Sequence, residues 1–345
     1  MQVQLRILRQ NQTNAAYFQS YVLEVEPSRT ILDCLNQIKW EQDGSLAFRK
    51  NCRNTICGSC AIGINQRSAL ACKESVGSEL ARSKNIATIS ANPLPEITLT
   101  PMGNMPVIKD LVVDMQSFWT TLKAVDPYVR TTARQVVDRE SCQTPIERSR
   151  LNQMGNCILC GACYSQCNAR EVDPSFVGPH ALAKASRMVA DTRDQTTEAR
   201  LEKLAEGTQG VWGCTRCYYC NAVCPMDVAP MDQIGQIKRE ILQRQDDQAS
   251  RSVRHRKVLI DLVKQGGWID ERQFGLKVVG NTFRDLQGLL SLAPLGLRLI
   301  AKGKFPAQFE PSAGTLEVRS LIESVQNLKA DSFEQVAETP EPIGG

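Results

Sequence analysis

The feature that most limits what this chain can fold into is a repeated run of cysteines. Cys157-Ile-Leu-Cys160-Gly-Ala-Cys163-Tyr-Ser-Gln-Cys167 recurs as Cys214-Thr-Arg-Cys217-Tyr-Tyr-Cys220-Asn-Ala-Val-Cys224-Pro225. A further group, Cys52-x4-Cys57-x2-Cys60 followed by Cys72, lies nearer the N-terminus. Thiols at such spacings serve either disulfides or metals. Disulfide-dense chains are short and secreted. This chain has 345 residues and 14 cysteines, and it opens on MQVQLRILRQNQ, which lacks the apolar core of a signal peptide. The expected use of the cysteines is therefore as metal ligands in a reducing compartment.

The N-terminal group has the plant-type spacing for a 2Fe-2S cluster. Gly58 and Ser59 are small enough to let backbone N–H groups approach the sulfurs. Those hydrogen bonds, with solvent exposure, set a cluster's potential. Structural zinc sites favour paired Cys-x2-Cys knuckles, which this loop is not. The repeated Cys-x2-Cys-x2-Cys-x3-Cys is the bacterial two-cluster run, in which the fourth cysteine ligates the other cluster. On that pattern Cys157, Cys160 and Cys163 join Cys224 at one cluster. Cys214, Cys217 and Cys220 join Cys167 at the other. Crossed ligation of this kind would staple the fold as well as carry charge. Cys34, in an apolar helical stretch, reads as a core residue, and Cys142 reads as a bystander. The two histidines, His180 and His255, read as solvated surface, and RSVRHRK around His255 as a wet basic face.

The remaining sequence sets the architecture. VQLRILR and YVLEVEP alternate apolar and polar positions, as a half-buried hairpin does. Thr30 to Trp40 has helical spacing, and ATISANPLPEITLTP supplies a last strand. From Val107, VIKDLVVDMQSFWTTLKAV reads as helix, and helices are expected over Pro179–Ala190 and Thr197–Glu206. The expected class is α+β: a β-grasp 2Fe-2S ferredoxin domain over residues 1–105, then an all-α two-cluster ferredoxin domain over 106–243. A helical extension over 244–345 follows, ending in a disordered ETPEPIGG. The longest apolar stretch, Leu289 to Ala301, is too short to span a membrane and contains Arg298. A net charge of +4 gives no reason to expect nucleic acid. With no Gly-rich nucleotide loop, Ser-His-Asp order or HExxH, the chain is expected to move electrons rather than make bonds.

Several longer motifs carry a resemblance. They are Asn51-Cys-Arg-Asn-Thr-Ile-Cys-Gly-Ser-Cys-Ala61, Leu70-Ala-Cys72, Pro106-Val-Ile-Lys-Asp-Leu-Val-Val-Asp114, Val177-Gly-Pro179, Asp191-Thr-Arg-Asp194 and Cys224-Pro225. Over about residues 1 to 240 the chain resembles the iron–sulfur subunits of succinate dehydrogenase and fumarate reductase. The resemblance implies a respiratory-chain and tricarboxylic-acid-cycle role. Electrons would pass from FAD on a separate flavoprotein, which interconverts succinate and fumarate, through three clusters toward a quinone. It implies Cys52, Cys57, Cys60 and Cys72 at the 2Fe-2S cluster and Cys157, Cys160, Cys163 and Cys224 at a 4Fe-4S cluster. It also implies a cytoplasmic subunit, peripheral on the inner face of a membrane through its partners.

The chain departs from the family at three places. The family's third cluster is 3Fe-4S because its second run lacks one cysteine; here Cys217 fills the gap beside Cys167, Cys214 and Cys220, which favours 4Fe-4S. Asn168-Ala-Arg-Glu-Val172 and Thr215 replace the family's quinone-side residues. The C-terminal extension loosely resembles that of heterodisulfide reductase subunits, which points to a cysteine-rich quinone-side partner in place of a haem-binding membrane anchor. The alternatives are an iron–sulfur subunit of another flavin-dependent complex (thiol:fumarate reductase, glycolate oxidase or a heterodisulfide reductase) and a soluble multi-cluster electron carrier.

Overall fold

Alternation along Gln2–Arg9 puts Val3, Leu5, Ile7 and Arg9 on one buried face, and a sheet grows around that strand. The computed structural model describes residues 1–11, 15–84, 94–131, 141–207, 209–244, 250–305 and 308–337. Its strands β1 (Gln2–Arg9), β2 (Tyr17–Glu24), β3 (Ala61–Ile64), β4 (Arg67–Leu70) and β5 (Glu96–Thr100) form one five-stranded sheet in the order β2-β1-β5-β3-β4. The hairpin β1–β2 is antiparallel, with Leu5 opposite Tyr21, while β1 runs parallel to β5 with Leu5 opposite Ile97. Helix α1 (Ile31–Gln37) starts where the Thr30 hydroxyl accepts the Asp33 amide at 3.1 Å. It buries Ile31, Leu32, Cys34 and Leu35, and a wider turn continues it over Ile38–Gln42. Cys34 is therefore a core residue, and burial pushes its thiol up to about 11. Helix α2 (Val76–Lys84) follows β4. The part of the expected last strand at residues 87–93 lies outside the described residues.

The stretch from Val107 is not the continuous helix its spacing suggests. It is a short hairpin, β6 (Val107–Lys109) and β7 (Val112–Val113), and only then helix α3 (Gln116–Lys123). Tertiary contacts decide the difference. Asp110 sits in the left-handed region at φ 49°, and its carboxylate accepts Arg9 Nε at 3.0 Å and the Ala47 amide at 2.9 Å. Arg9 also donates to Gln19, Tyr21, Asp43 and Ser45, so a buried guanidinium is fully engaged across the module.

The second half is helical: α4 (Pro145–Gly155), α5 (Ala162–Ser165), α6 (Asn168–Val172), α7 (Pro179–Val189), α8 (Thr197–Ala205), α9 (Tyr219–Ala222) and α10 (Pro230–Arg244). Thr144 and Glu147 close a capping box on α4. The sheet's core continues into this half, where Tyr164 is fully buried and Ile158, Leu159 and Cys160 pack against it. Ser68 donates to Ser165 at 2.8 Å, and Asn104 Nδ2 donates to the carbonyls of Tyr164, Ser165 and Cys167. The N-terminal module thereby grips α5. Around Arg200, the Asp194 carboxylate and the carbonyls of Val125, Asp126 and Tyr128 form a clasp from α8 to the end of α3.

The chain divides into two compact units, Met1–Glu240 and Ile241–Gly345. The second is built on α11 (Arg251–Gly266), capped by Ser250 and ended by Gly267 at φ 77°. Helix α12 (Glu271–Phe274) runs into a wide turn over Gly275–Val279, then come α13 (Leu286–Ser291), α14 (Ala293–Ala301) and α15 (Thr315–Ala337). Val258, Leu262 and Val278 make a small core with Phe274 against it. The basic run is not a plain wet face. Arg254 is buried and donates Nε to the Val278 carbonyl at 3.1 Å, and half-buried His255 meets the Phe274 ring edge-on at 5.0 Å. Helical periodicity turns those two positions inward. The ETPEPIGG end lies outside the described residues.

Candidate metal centres

Three loops carry the cysteines. In the first, Arg53, Thr55 and Gly58 all take left-handed φ between 57° and 71°. Alternating backbone hands of this kind turn successive N–H groups toward one side and make an anion-binding concavity. Cys52 Sγ accepts the amides of Asn54 at 3.3 Å and Cys57 at 3.4 Å. Hydrogen bonding from Ser59 and Cys52, chiefly the Ser59 hydroxyl, holds the Cys57 thiol down to about 6 against the opposing effect of burial. Cys60, whose field includes Cys72 and Cys57, is pushed up to about 12 by burial. The Thr55 hydroxyl lies 3.9 Å from Cys72 Sγ. The four expected cysteines of this group thus share one loop mouth.

The repeated run folds twice into the same shape. Leu159 and Gly161 are left-handed in the first copy, and Arg216 and Tyr218 occupy the matching positions, also left-handed, in the second. Each copy then makes one helical turn, α5 carrying Cys163 and α9 carrying Cys220. Two cavities result. One is lined by Cys157, Cys160, Cys163 and Cys224, with Phe118, His180 and Ile158 among its apolar walls. The other is lined by Cys167, Cys214, Cys217 and Cys220, with Phe176, Tyr218 and Met231 beside them. Each cavity thus brings the last cysteine of one run beside the first three of the other. Cys217 reaches the second cavity and is the exposed member of its set.

The donor chemistry fits iron–sulfur clusters. Burial pushes Cys160 up to about 11 and Cys220 up to about 12, and raises Cys163 and Cys167 as well. Thiols so buried ionise only against a cation, and each cavity holds two of them beside two further cysteines, with amides nearby: Val228 N donates to Cys224 Sγ at 3.4 Å. Gly58 seats the first loop on the second. A Cβ on Gly58 would fall 2.8 Å from both Cα and Cβ of Cys160.

Sequence reasoning missed three neighbours. His180 is not on the surface: it is 1% exposed, lies parallel to Phe118 at 4.1 Å and meets Tyr164 edge-on. The Gly178-Pro179 start of α7 turns it inward, and burial pushes it down to about 3, so the imidazole is neutral. Lys238, also buried, donates to the Cys214 carbonyl at 3.2 Å and stands over the Trp212 ring. Met231 brings its sulfur to 3.5 Å from Cys214 Sγ. A lone histidine, lysine or methionine leaves no spacing signature. Cys142 is exposed and lines neither cavity.

Fold and loops define the class: an iron–sulfur protein in which a 2Fe-2S domain precedes a 4Fe-4S dicluster domain. The 2Fe-2S iron-sulfur cluster binding domain family matches residues 4–120, and the 4Fe-4S dicluster domain family matches 153–228. A fumarate reductase iron-sulfur subunit of Mycobacterium tuberculosis is 39% identical over 227 residues, covering 65% of this chain and 86% of that one. A mitochondrial succinate dehydrogenase [ubiquinone] iron-sulfur subunit of Arabidopsis thaliana is 33% identical over 228 residues, covering 66% and 70%. A chain of the Mycobacterium smegmatis Sdh1 complex in the apo form shares the fold, with a TM-score of 0.60 at 23% identity over 71% of this chain and 97% of that one. The chain belongs to the family of succinate dehydrogenase and fumarate reductase iron–sulfur subunits.

Proposed function

We propose that this chain carries electrons between a succinate-oxidising FAD flavoprotein and a quinone-side subunit of a membrane-associated complex. The observation that carries the reading is the contiguity of the three cysteine loops. Gly58 packs on Cys160, and α5 and α9, which bear Cys163 and Cys220, lie side by side. Bound in series, the clusters would supply one-electron acceptors. The residues supply the rest. Cys52, Cys57, Cys60 and Cys72 would hold the 2Fe-2S cluster, and Cys157, Cys160, Cys163 and Cys224 a 4Fe-4S cluster. Cys167, Cys214, Cys217 and Cys220 would hold the third, which four thiolates make 4Fe-4S rather than 3Fe-4S. Phe118 and the neutral His180 wall the middle cavity with apolar and uncharged surface, which keeps water away. Lys238 donates from its buried amine to the Cys214 carbonyl and so helps to hold the third loop in shape.

Among the described residues no helix is long and apolar enough to cross a membrane. The quinone-side partner would be either a membrane anchor or a cysteine-rich subunit. The test is purification of the native complex. The reading expects a flavoprotein to co-purify and succinate to drive reduction of a quinone analogue. A co-purifying flavoprotein that ignores succinate and turns over another substrate would move the chain to a different flavoenzyme complex. A chain that runs alone would make it a free carrier.

A further inference from the structure

The second unit presents an apolar surface that its own core does not use. Leu286, Leu290, Leu295, Leu297 and Ile300 on α13 and α14 all face solvent, Leu290 at 72% and Leu297 at 68% exposed. They are held outward by their neighbours. Leu289 packs into the space over Gly280, where a Cβ would fall 2.5 Å from its side chain, and Leu292 lies against Gly275. Two leucines anchor the segment and five aliphatic side chains are left uncovered.

The charge pattern says what covers them. From residue 286 to residue 309 there is no acidic side chain, while Arg298, Lys302 and Lys304 gather at the C-terminal end of α14. All three are exposed. We infer that α13 and α14 lie on the surface of an anionic lipid bilayer, the leucines among the acyl chains and the basic residues at the headgroups. An apolar helical face edged by basic residues is the pattern of an interfacial segment, and lysines near an anionic leaflet are attracted to it. A protein partner would be expected to meet aromatic residues at the centre of such a face. The large apolar residues turned outward on α13 and α14 are all aliphatic instead, with Phe283 and Phe305 only at the margins. The segment is too short to span, so the contact is one of lying on the membrane rather than crossing it. Membrane association would then be built into this chain and would not depend on its partners alone.

The test is flotation of the cluster-loaded full-length chain with vesicles of phosphatidylcholine and phosphatidylglycerol in equal parts, and of phosphatidylcholine alone. The expected result is flotation with the mixed vesicles, weakened by salt. Leu290→Glu with Leu297→Glu should reduce binding by about tenfold or more. Lys302→Gln with Lys304→Gln should reduce it by about fivefold per lysine on the mixed vesicles only. Both pairs are exposed, so cluster absorption should be unchanged and serves as the folding control. A wild-type chain that stays at the bottom of the gradient, or a glutamate variant that floats as well as wild type, overturns the inference. If wild type does not float and the glutamate pair instead releases a subunit from the native complex, the face is a protein interface and the inference also falls. Neither result bears on succinate chemistry, so this claim and the proposed function fail separately.

Discussion

Gly58→Ala concentrates two independent penalties at the contact between the first and second cysteine loops. Gly58 is left-handed at φ 71°, a conformation that costs an alanine about 1 kcal/mol. The new Cβ would also fall 2.8 Å from Cα and Cβ of Cys160 and 3.3 Å from its amide nitrogen. Carbon atoms prefer roughly 3.5–4.0 Å, so the loops must part by about 1 Å. Overpacking of that kind costs about 1–3 kcal/mol, for a total of about 2–4 kcal/mol. At about 2–4 °C per kcal/mol for a unit of this size, the thermal midpoint should drop by about 5–15 °C. Differential scanning calorimetry reads the drop, and rapid-mixing spectroscopy on the native complex should show slower reduction of the second centre relative to the first. Gly155→Ala, where nothing lies within 4 Å of the new Cβ, is the matched control and should be neutral or slightly stabilising. If Gly58→Ala melts within about 1 °C of wild type, the loops are not in the contact described.

Three further outcomes are expected. Asp194→Asn leaves the buried Arg200 guanidinium without its carboxylate and should destabilise by about 3–5 kcal/mol, read by urea unfolding. The same carboxyl is held down to about 2: burial opposes this, but hydrogen bonds from Arg200, the Arg130 amide and Thr196 prevail. A depressed carboxylate contributes stability above its unfolded value near 4 and loses it as pH falls toward 2. The difference in urea midpoint between wild type and Asp194→Asn should therefore be full at pH 6 and shrink from about pH 4 downward; a gap independent of pH would contradict the assignment. Cys217→Ala should convert the third centre from a four-thiolate to a three-thiolate site, so that the oxidised protein gains a 3Fe-4S paramagnetic signal of about one spin per chain. An unchanged spectrum would remove Cys217 from the ligand set.

Much of the site was legible because thiolate spacing is a local constraint. The tight loops around Cys157 and Cys214 fix left-handed positions two and four residues on, and both copies obey the same rule. The repeat alone placed Cys224 with the first run and Cys167 with the second, the groups that line the two cavities. The strands and α1 were legible from period-two and helical patterns, because each buries a single face. Legibility ended where distant residues decide. VIKDLVV carries helical spacing, yet the Arg9–Asp110 pair across the sheet makes it a hairpin. His180 and Arg254 are polar residues turned inward by the helices that carry them, and only the packing of Phe118 and Val278 around them reveals it. The Asp191-Thr-Arg-Asp194 motif had no physical reading until Arg200 and the carbonyls of Val125, Asp126 and Tyr128 closed on it.

The measurement that tests the central claim most directly is electron paramagnetic resonance of the native complex, frozen before and after addition of succinate. The account predicts that succinate alone brings up the reduced 2Fe-2S signal, and that the complex before succinate lacks an oxidised 3Fe-4S signal. If succinate leaves the spectrum unchanged while dithionite reduces every centre, the cysteine loops carry electrons for a different substrate and the proposed function is wrong.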